Sequence, residues 1–399
     1  MTGLAGRRVL LGVAGGIAAY KSCTLVRRLV EAGALVDVVL SDAATRFVGA
    51  VTFEALAGRP VLASLWQPDR ALDHVRLGQQ ADLAIVAPAT ADLLARLAAG
   101  IADDILAATL LARTAPLLLA PAMNDAMFAH PATAANLARL RERGAVVVGP
   151  ATGALAEGPS DRPGRMSEPE EIVAEAERML RRGGPLDGRR VLVTAGPTRE
   201  PLDAVRVVTN RSSGQMGYAL AAEAWARGAD VVLLSGPVAL PTPHGVARRD
   251  VETTADLGAA LQDELPRADV LLMAAAPADY RAAEVARGKR PRQEGALSLD
   301  LAPTDDLLQA TRASRKPGAL MVGFALEAGD AVERARAKLV RKDLDLIVVN
   351  DALEPGAGPE VPTNRVTLVG RDGAVEALPL LPKREVAARI LDRVERLRV

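Results

Sequence analysis

The chain has 399 residues, 49% hydrophobic and 25% charged, which suits two globular domains of ordinary size and excludes a disordered composition. Lysine plus arginine number 49 and aspartate plus glutamate 49, so no global field draws the protein to nucleic acid or to an anionic membrane. Four Phe, two Trp and three Tyr leave few rings for single-stranded bases, and the sole cysteine, Cys23, allows no intrachain disulfide and fits a reducing cytoplasm.

Residues 9–20, which follow Arg7 and Arg8, are apolar or small as in a signal peptide. Three glycines and Lys21 make them read better as a strand, a tight turn and the start of a helix, with Cys23 expected to be buried in that helix. No uninterrupted apolar run reaches membrane-spanning length. The helical pattern runs through Glu31 and is followed by an apolar run over residues 35–40, giving a β-α-β unit. Further runs over 83–87, 117–120 and 145–148 predict strands buried on both faces, hence a mostly parallel sheet.

Between 149 and 169 the pattern lapses into Gly and Pro, a candidate lid. Ser167-Glu168-Pro169-Glu170 then predicts a capping box for a helix to about Arg182. Gly183, Gly184, Pro185 and Gly188 break that helix, and Arg189-Arg190-Val191-Leu192 restarts the chain as Arg7-Arg8-Val9-Leu10 began it. Two domains are therefore expected, 1–186 and 187–399. The second has its own Gly-rich turn at Ala195-Gly196-Pro197, a long strand-to-helix connection over 195–213, and later strands at 270–273, 320–325 and 346–349. Both halves read as Rossmann-like α/β domains, whose ligands sit at strand C-terminal ends.

In the first half, Gly12, Gly15 and Gly16 lack dinucleotide-fold spacing but put backbone N–H groups at a helix start, either a phosphate cradle or a plain tight turn. Thr90 and Asn124 follow buried strands and should converge with that turn, while His74 lies in a polar approach to a strand. Through "GVAGGIAAYK", "DHVRLGQQADLAIVAPATADLLARLAAG" and "PAMN", residues 5–182 resemble the flavin-containing cysteine decarboxylases, which have a flavodoxin-like fold. The resemblance implies FMN at Gly15, Gly16, Ser41 and Thr90, and His74 and Asn124 near the substrate carboxylate. It also implies oxidation of a cysteinyl thiol to a thioaldehyde, loss of carbon dioxide, and reduction of the enethiolate. Glu157 stands where that family carries a proton-donating cysteine. Three alternatives follow: Glu157 takes over the donation, the step is lost, or Glu157 has no role.

In the second half, Arg206, Asn210, Arg211, Ser212 and Ser213 crowd a helix entrance, suited to an anionic ligand, and Arg199 is either part of that site or solvated. Ala274-Ala275-Ala276-Pro277-Ala278-Asp279 lets a ligand lie against a strand end. Arg281, Arg287, Lys289, Arg290 and Arg292 form either a solvated basic loop or a phosphate clamp. Phe324 offers a ring at another strand end, Lys338 and Lys342 lie one helical turn apart, and Asn350 closes the last strong strand.

With "AGPTREPLD" and "NRSSGQMG", this half resembles phosphopantothenate-cysteine ligases, and the two halves in this order resemble the bifunctional enzymes of coenzyme A biosynthesis. The resemblance implies CTP and Mg²⁺ activating 4'-phosphopantothenate as an acyl-cytidylate for attack by cysteine. The product, 4'-phosphopantothenoylcysteine, would go to the first half. Asp279, Lys289, Phe324, Lys338 and Lys342 would bind CTP, Lys289 would stabilise phosphate charge, and Asn210 and Arg206 would handle the acyl substrate; no protein metal ligand is assigned. Thr304-Asp305-Asp306 replaces the usual Asn-Pro-Asp, predicting a local change in the nucleotide loop. Trimeric first domains and dimeric second domains would build a larger homo-oligomer such as a dodecamer. Two other readings stay open: a ligase whose flavin domain stalls, and a regulatory flavin-binding protein.

Overall fold

The computed structural model describes residues 3–66, 69–289, 298–327, 331–351, 356–358 and 360–397, so Arg290 and Arg292 lie outside the described residues. The chain divides into two compact units, 1–181 and 182–399.

The first unit runs β1 (Arg8–Val13), α1 (Ala19–Glu31), β2 (Leu35–Leu40), α2 (Ala50–Ala57), α3 (Asp73–Gln80), β3 (Leu83–Ala89), α4 (Ala91–Ala99) and α5 (Ile105–Ala112). It continues with β4 (Leu117–Pro121), α6 (Asp125–Ala129), α7 (Pro131–Glu142), β5 (Val146–Val147) and α8 (Pro169–Leu180). The strands pair in parallel in the order β2-β1-β3-β4-β5, the flavodoxin-like order. Every residue of β3 and β4 is buried, which is why their sequences are unbroken apolar runs. The order reverses between β1 and β3, so the turns after those two strands flank the crevice where such sheets bind ligands.

Two local expectations shift. The cap of α8 is Glu168, with the Glu171 carboxylate accepting from the Glu168 N–H at 3.1 Å, one residue later than expected, because Pro169 takes the first helical position and Ser167 is buried. Cys23 lies on α1 but is only half-buried, and burial pushes its thiol pKa up.

The second unit opens with β6 (Arg190–Ala195), the hairpin β7 (Arg199–Pro201) and β8 (Val207–Thr209), α9 (Gln215–Ala226), β9 (Asp230–Ser235), β10 (Ala247–Asp250), α10 (Thr254–Glu264) and β11 (Val270–Met273). It continues with β12 (Tyr280–Ala282), β13 (Leu301–Pro303), α11 (Leu307–Ala310), β14 (Leu320–Glu327), α12 (Ala331–Lys342) and β15 (Leu346–Asp351). The end is built from β16 (Thr363–Asn364), β17 (Val366–Gly370), β18 (Val375–Ala377), β19 (Leu381–Pro382) and α13 (Lys383–Leu397).

The main sheet has the order β10-β9-β6-β11-β14-β15-β17-β18, in which the first six strands are parallel in the doubly wound 3-2-1-4-5-6 arrangement. β17 and β18 extend it antiparallel, an edge the apolar runs do not announce. The turn after β6 needs a left-handed residue, and Gly196 supplies it with φ +77°. Its carbonyl accepts from Ala276 N–H at 2.9 Å, and Ala195 O accepts from Gly236 N–H at 2.8 Å, so one turn ties three neighbouring strand ends together. The long connection expected over 195–213 is therefore not loose: half of it is the β7-β8 hairpin.

Candidate active sites

In the first unit a cavity of about 770 Å³ opens beyond the ends of β1 and β3. Gly15, Gly16, Ser41, Thr90, Asn124 and Glu157 all line it, so the turns expected to converge do so. The N–H groups of residues 15 to 18, ahead of α1, have no acceptor among the described residues, whereas Ala19 N–H already donates to Gly16 O. A helix N-terminus with open donors is an anion site. A Cβ at Gly15 would lie 2.3 Å from that of Ala43, so this glycine lets the turn close; one at Gly16 would meet only the Thr90 methyl, at 3.4 Å. Ser41 Oγ accepts from Ala44 N–H at 3.2 Å and Thr90 Oγ1 from Leu93 N–H at 3.3 Å, leaving both hydroxyl protons for a ligand.

The candidate lid is a narrow hairpin. Ala151 and Arg165 bridge at its base, Leu155 and Gly158 at its tip, and Ser160 Oγ donates to Asp125 at 2.8 Å. Glu157 sits at the tip, exposed, with Oε1 3.4 Å from Asn124 Nδ2. Asn124 also caps α6 by accepting from Ala126 N–H at 2.9 Å, which fixes its amide. His74 is not part of this cavity in its own chain; it lies on α3 with Nδ1 buried and unbonded. Lys21, which the sequence reading passed over, is buried in the cavity wall, donating to Met166 O at 3.2 Å and Glu168 Oε1 at 2.9 Å. Burial opposes ionisation of Glu168, but Lys21 and Arg165 outweigh it and hold its carboxyl below the usual range.

In the second unit a cavity of about 470 Å³ runs past the ends of β6, β11, β14 and β15. Asp279, Phe324, Lys338, Lys342 and Asn350 line it, as do Arg211, Ser212 and Gly214 before α9. Thr304 and Asp306, in the departing motif, hold the loop in place. Thr304 donates to Ala278 O at 2.6 Å through its hydroxyl and to Asp279 O at 2.9 Å through its N–H, while Asp306 pairs with Lys342 at 3.1 Å.

Three expected residues stand apart. Asn210 is outside the lining but donates to Pro277 O at 2.9 Å, bracing the strand end that forms the wall. Arg206 is held by the buried Asp203 in the turn of the β7-β8 hairpin, 2.8 Å from Nε to Oδ2, and does not reach the cavity. Lys289 is exposed and also outside the lining. Arg199 lines a separate depression with Arg248 and Glu252. The sequence reading missed Asn364 and Lys383, both buried in the cavity wall. The available signal was a lysine opening a helix, where the helix dipole disfavours a cation.

Among the described residues no helix is long and apolar enough to cross a membrane, and no group of three His, Cys, Asp or Glu is placed to hold a metal ion.

The family model described as Flavoprotein matches residues 2–181, and that described as DNA/pantothenate metabolism flavoprotein C-terminal domain matches residues 186–397. The chain is 50% identical to the coenzyme A biosynthesis bifunctional protein CoaBC of Mycobacterium tuberculosis, covering 97% of this chain and 96% of that one. It is 45% identical to the protein of the same name from Vibrio cholerae, covering 98% of each. A crystal structure of the C-terminal domain of a CoaBC protein is 40% identical over 54% of this chain and 98% of that chain, with a TM-score of 0.46. The two family models and the near full-length identity to these bifunctional proteins show that the chain belongs to the CoaBC family of bifunctional enzymes, which serve coenzyme A biosynthesis by a ligation and a decarboxylation.

Proposed function

We propose that the second domain, 187–399, joins cysteine to 4'-phosphopantothenate at the expense of CTP, and that the first, 1–186, decarboxylates the product to 4'-phosphopantetheine with FMN. The observation that carries this reading is the gathering of Asp279, Phe324, Lys338 and Lys342 in one cavity and of Gly15, Gly16, Ser41, Thr90 and Asn124 in the other. In the ligation, the phosphopantothenate carboxylate attacks the α-phosphorus of CTP and displaces pyrophosphate. The cysteine amine then attacks the acyl carbon, losing a proton as CMP leaves. Mg²⁺ enters with the CTP phosphates. The open end of α9 and the two lysines of α12 counter the phosphate charge, Phe324 contacts the base, and Asn210 braces the wall for the acyl substrate. Lys289 and Arg206 join the site only if their segments close on a bound ligand, as phosphate clamp and acyl contact respectively.

In the first domain the cradle suits FMN: the open N–H groups before α1 and the hydroxyls of Ser41 and Thr90 would hold its phosphate. Bound flavin supplies a two-electron acceptor for the cysteinyl thiol and returns those electrons after carbon dioxide has left. Asn124 holds the substrate carboxylate, and Glu157, at the lid tip beside it, protonates the enethiolate carbon. His74 acts on the carboxylate from a neighbouring copy, since its own cavity excludes it. A self-associating first domain suits the exposed Ile17, Tyr20 and Met127 in the wall of that cavity. We place trimers at this domain and dimers at the second, in the cytoplasm.

Purified protein should be yellow, release FMN on denaturation, and consume cysteine only with CTP, Mg²⁺ and 4'-phosphopantothenate. A colourless protein, or cysteine consumption without nucleotide, contradicts the reading.

A further inference from the structure

Three cations line the first cavity among the described residues, and two of them are already committed. Arg96 is enclosed by carboxylates, with Asp92 at 2.7 Å, Asp103 at 2.9 Å and Asp104 at 2.8 Å. Lys21 is buried, its ammonium shared between Met166 O and Glu168. Arg165 differs. Its Nη2 donates to Glu168 Oε1 at 2.7 Å, while Nε and Nη1 have no acceptor among the described residues and the side chain is 38% exposed. The cavity is thus negative around Arg96, one cation against three carboxylates, and positive at Arg165, where two cations share one carboxylate.

Arg165 enters the cavity at the base of the hairpin over 151–165, bridged to Ala151. Gly164 O accepts from Met123 N–H at 3.0 Å, which fixes that base to the turn carrying Asn124. Nη1 lies along the outgoing strand, since a Cβ at Gly153 would come 3.4 Å from it. Further along that strand Ala154, Leu155 and Ala156 give the cavity an apolar wall. From Ala151 to Leu155, at the tip bridge, is four residues, at most about 13 Å.

The substrate brings two anions to this cavity and the cofactor a third. The N–H groups before α1 answer the flavin phosphate, and Asn124 answers the cysteinyl carboxylate; the 4'-phosphate has no partner yet. A guanidinium on the carboxylate would stabilise the charge that leaves as carbon dioxide and so raise the barrier. On the phosphate, which the reaction does not change, it acts on binding alone. Twelve bonds separate carboxylate carbon from phosphorus, the backbone length of four residues, about 14 Å extended. That spans the hairpin from tip to base.

We propose that Arg165 binds the 4'-phosphate of the substrate, with Nη1 as donor while Glu168 holds Nη2 and fixes the guanidinium plane. The first domain thereby distinguishes 4'-phosphopantothenoylcysteine from pantothenoylcysteine. This rests on the decarboxylation reading above.

The test is carbon dioxide release from each of these two compounds by the full-length flavin-loaded protein, for the native chain, Arg165→Gln and Arg165→Lys, with flavin content measured alongside. In Arg165→Gln the expected KM for the phosphorylated substrate rises about 10- to 100-fold, kcat changes less than about threefold, and the KM for pantothenoylcysteine and the flavin content stay native. Arg165→Lys keeps the charge, so its KM for the phosphorylated substrate should rise only about 3- to 10-fold. Equal KM for both compounds in the native chain, equal losses with both in Arg165→Gln, no loss, or a protein that has shed its flavin overturns the proposal. Should Arg165→Gln not fold, Arg165→Lys decides it alone: a rise confined to the phosphorylated substrate supports phosphate binding, and an equal rise or none overturns it. A native chain that releases carbon dioxide from neither compound instead brings down the decarboxylation reading itself, so the two failures are distinguishable.

Discussion

Glu157 Oε1 lies 3.4 Å from the amide nitrogen of Asn124, which joins the tip of the lid hairpin to the first turn of α6. The lid tip is therefore held over the cavity rather than away from it, and the carboxyl occupies the place the sequence comparison reserved for a thiol. Because Glu157 is exposed, the donation proposed for it requires that substrate close this hairpin over the cavity.

Replacing Glu157 with Gln leaves the contact to Asn124 and removes the transferable proton. Formation of 4'-phosphopantetheine should fall by about 100-fold or more, with a decarboxylated product two mass units lighter accumulating, and Glu157→Cys should restore turnover. Mass spectrometry of the product mixture checks this. Unchanged turnover in Glu157→Gln would leave Glu157 without a chemical role.

Gly16 faces the cavity, so Gly16→Asp should fold but place a carboxylate where the flavin phosphate sits. The expected outcome is a protein of native melting temperature that purifies without the visible flavin absorbance. Full flavin occupancy would remove the phosphate from the α1 terminus.

His74 should complement between copies. Mixed oligomers of His74→Asn and Asn124→Ala chains, each with greatly reduced decarboxylation alone, should recover about a quarter or more of the native rate by pairing an intact cavity with an intact histidine. No recovery on mixing would require His74 to act in its own chain.

Much of the site architecture is legible because the sheets are buried on both faces: apolar runs end where the cavity-lining loops begin, which puts Gly15, Thr90, Asn124 and Asp279 beyond strand ends, whereas Phe324, expected at a strand end, lies within β14, which runs on to Glu327. What escaped the sequence depends on contacts without periodicity. β16 and β19 are two residues each, too short to show alternation, yet their pairing carries Asn364 and Lys383 into the wall of the second cavity. Arg206 reads in sequence as an anion ligand, but Asp203, three residues back, takes its guanidinium.

Gly217 packs α9 onto β6 at the second cavity. A Cβ there would lie 2.5 Å from Ala195 Cβ and 2.8 Å from Thr194 O, both on a strand that cannot yield. Gly217→Val should destabilise the second domain by about 1–3 kcal/mol, lowering its melting temperature by several degrees, and should raise KM for CTP. An unchanged melting temperature would show that the helix shifts freely.

The lowered pKa of Lys383 has a defined sign. Between its folded value and the unfolded 10.5, the unfolded chain binds more protons, so this group adds stability as pH rises through that window. Lys383→Met should remove that rise from the pH dependence of the melting temperature. A rise shared by both proteins would assign the titration elsewhere.

The most direct test of two sites acting in series is mass spectrometry of a single incubation of the purified protein with 4'-phosphopantothenate, cysteine, CTP and Mg²⁺. The account predicts CMP, pyrophosphate and 4'-phosphopantetheine, with 4'-phosphopantothenoylcysteine appearing first and then declining. Phosphopantothenoylcysteine that accumulates without ever losing carbon dioxide would contradict it, leaving a ligase attached to a flavin domain that does not turn over.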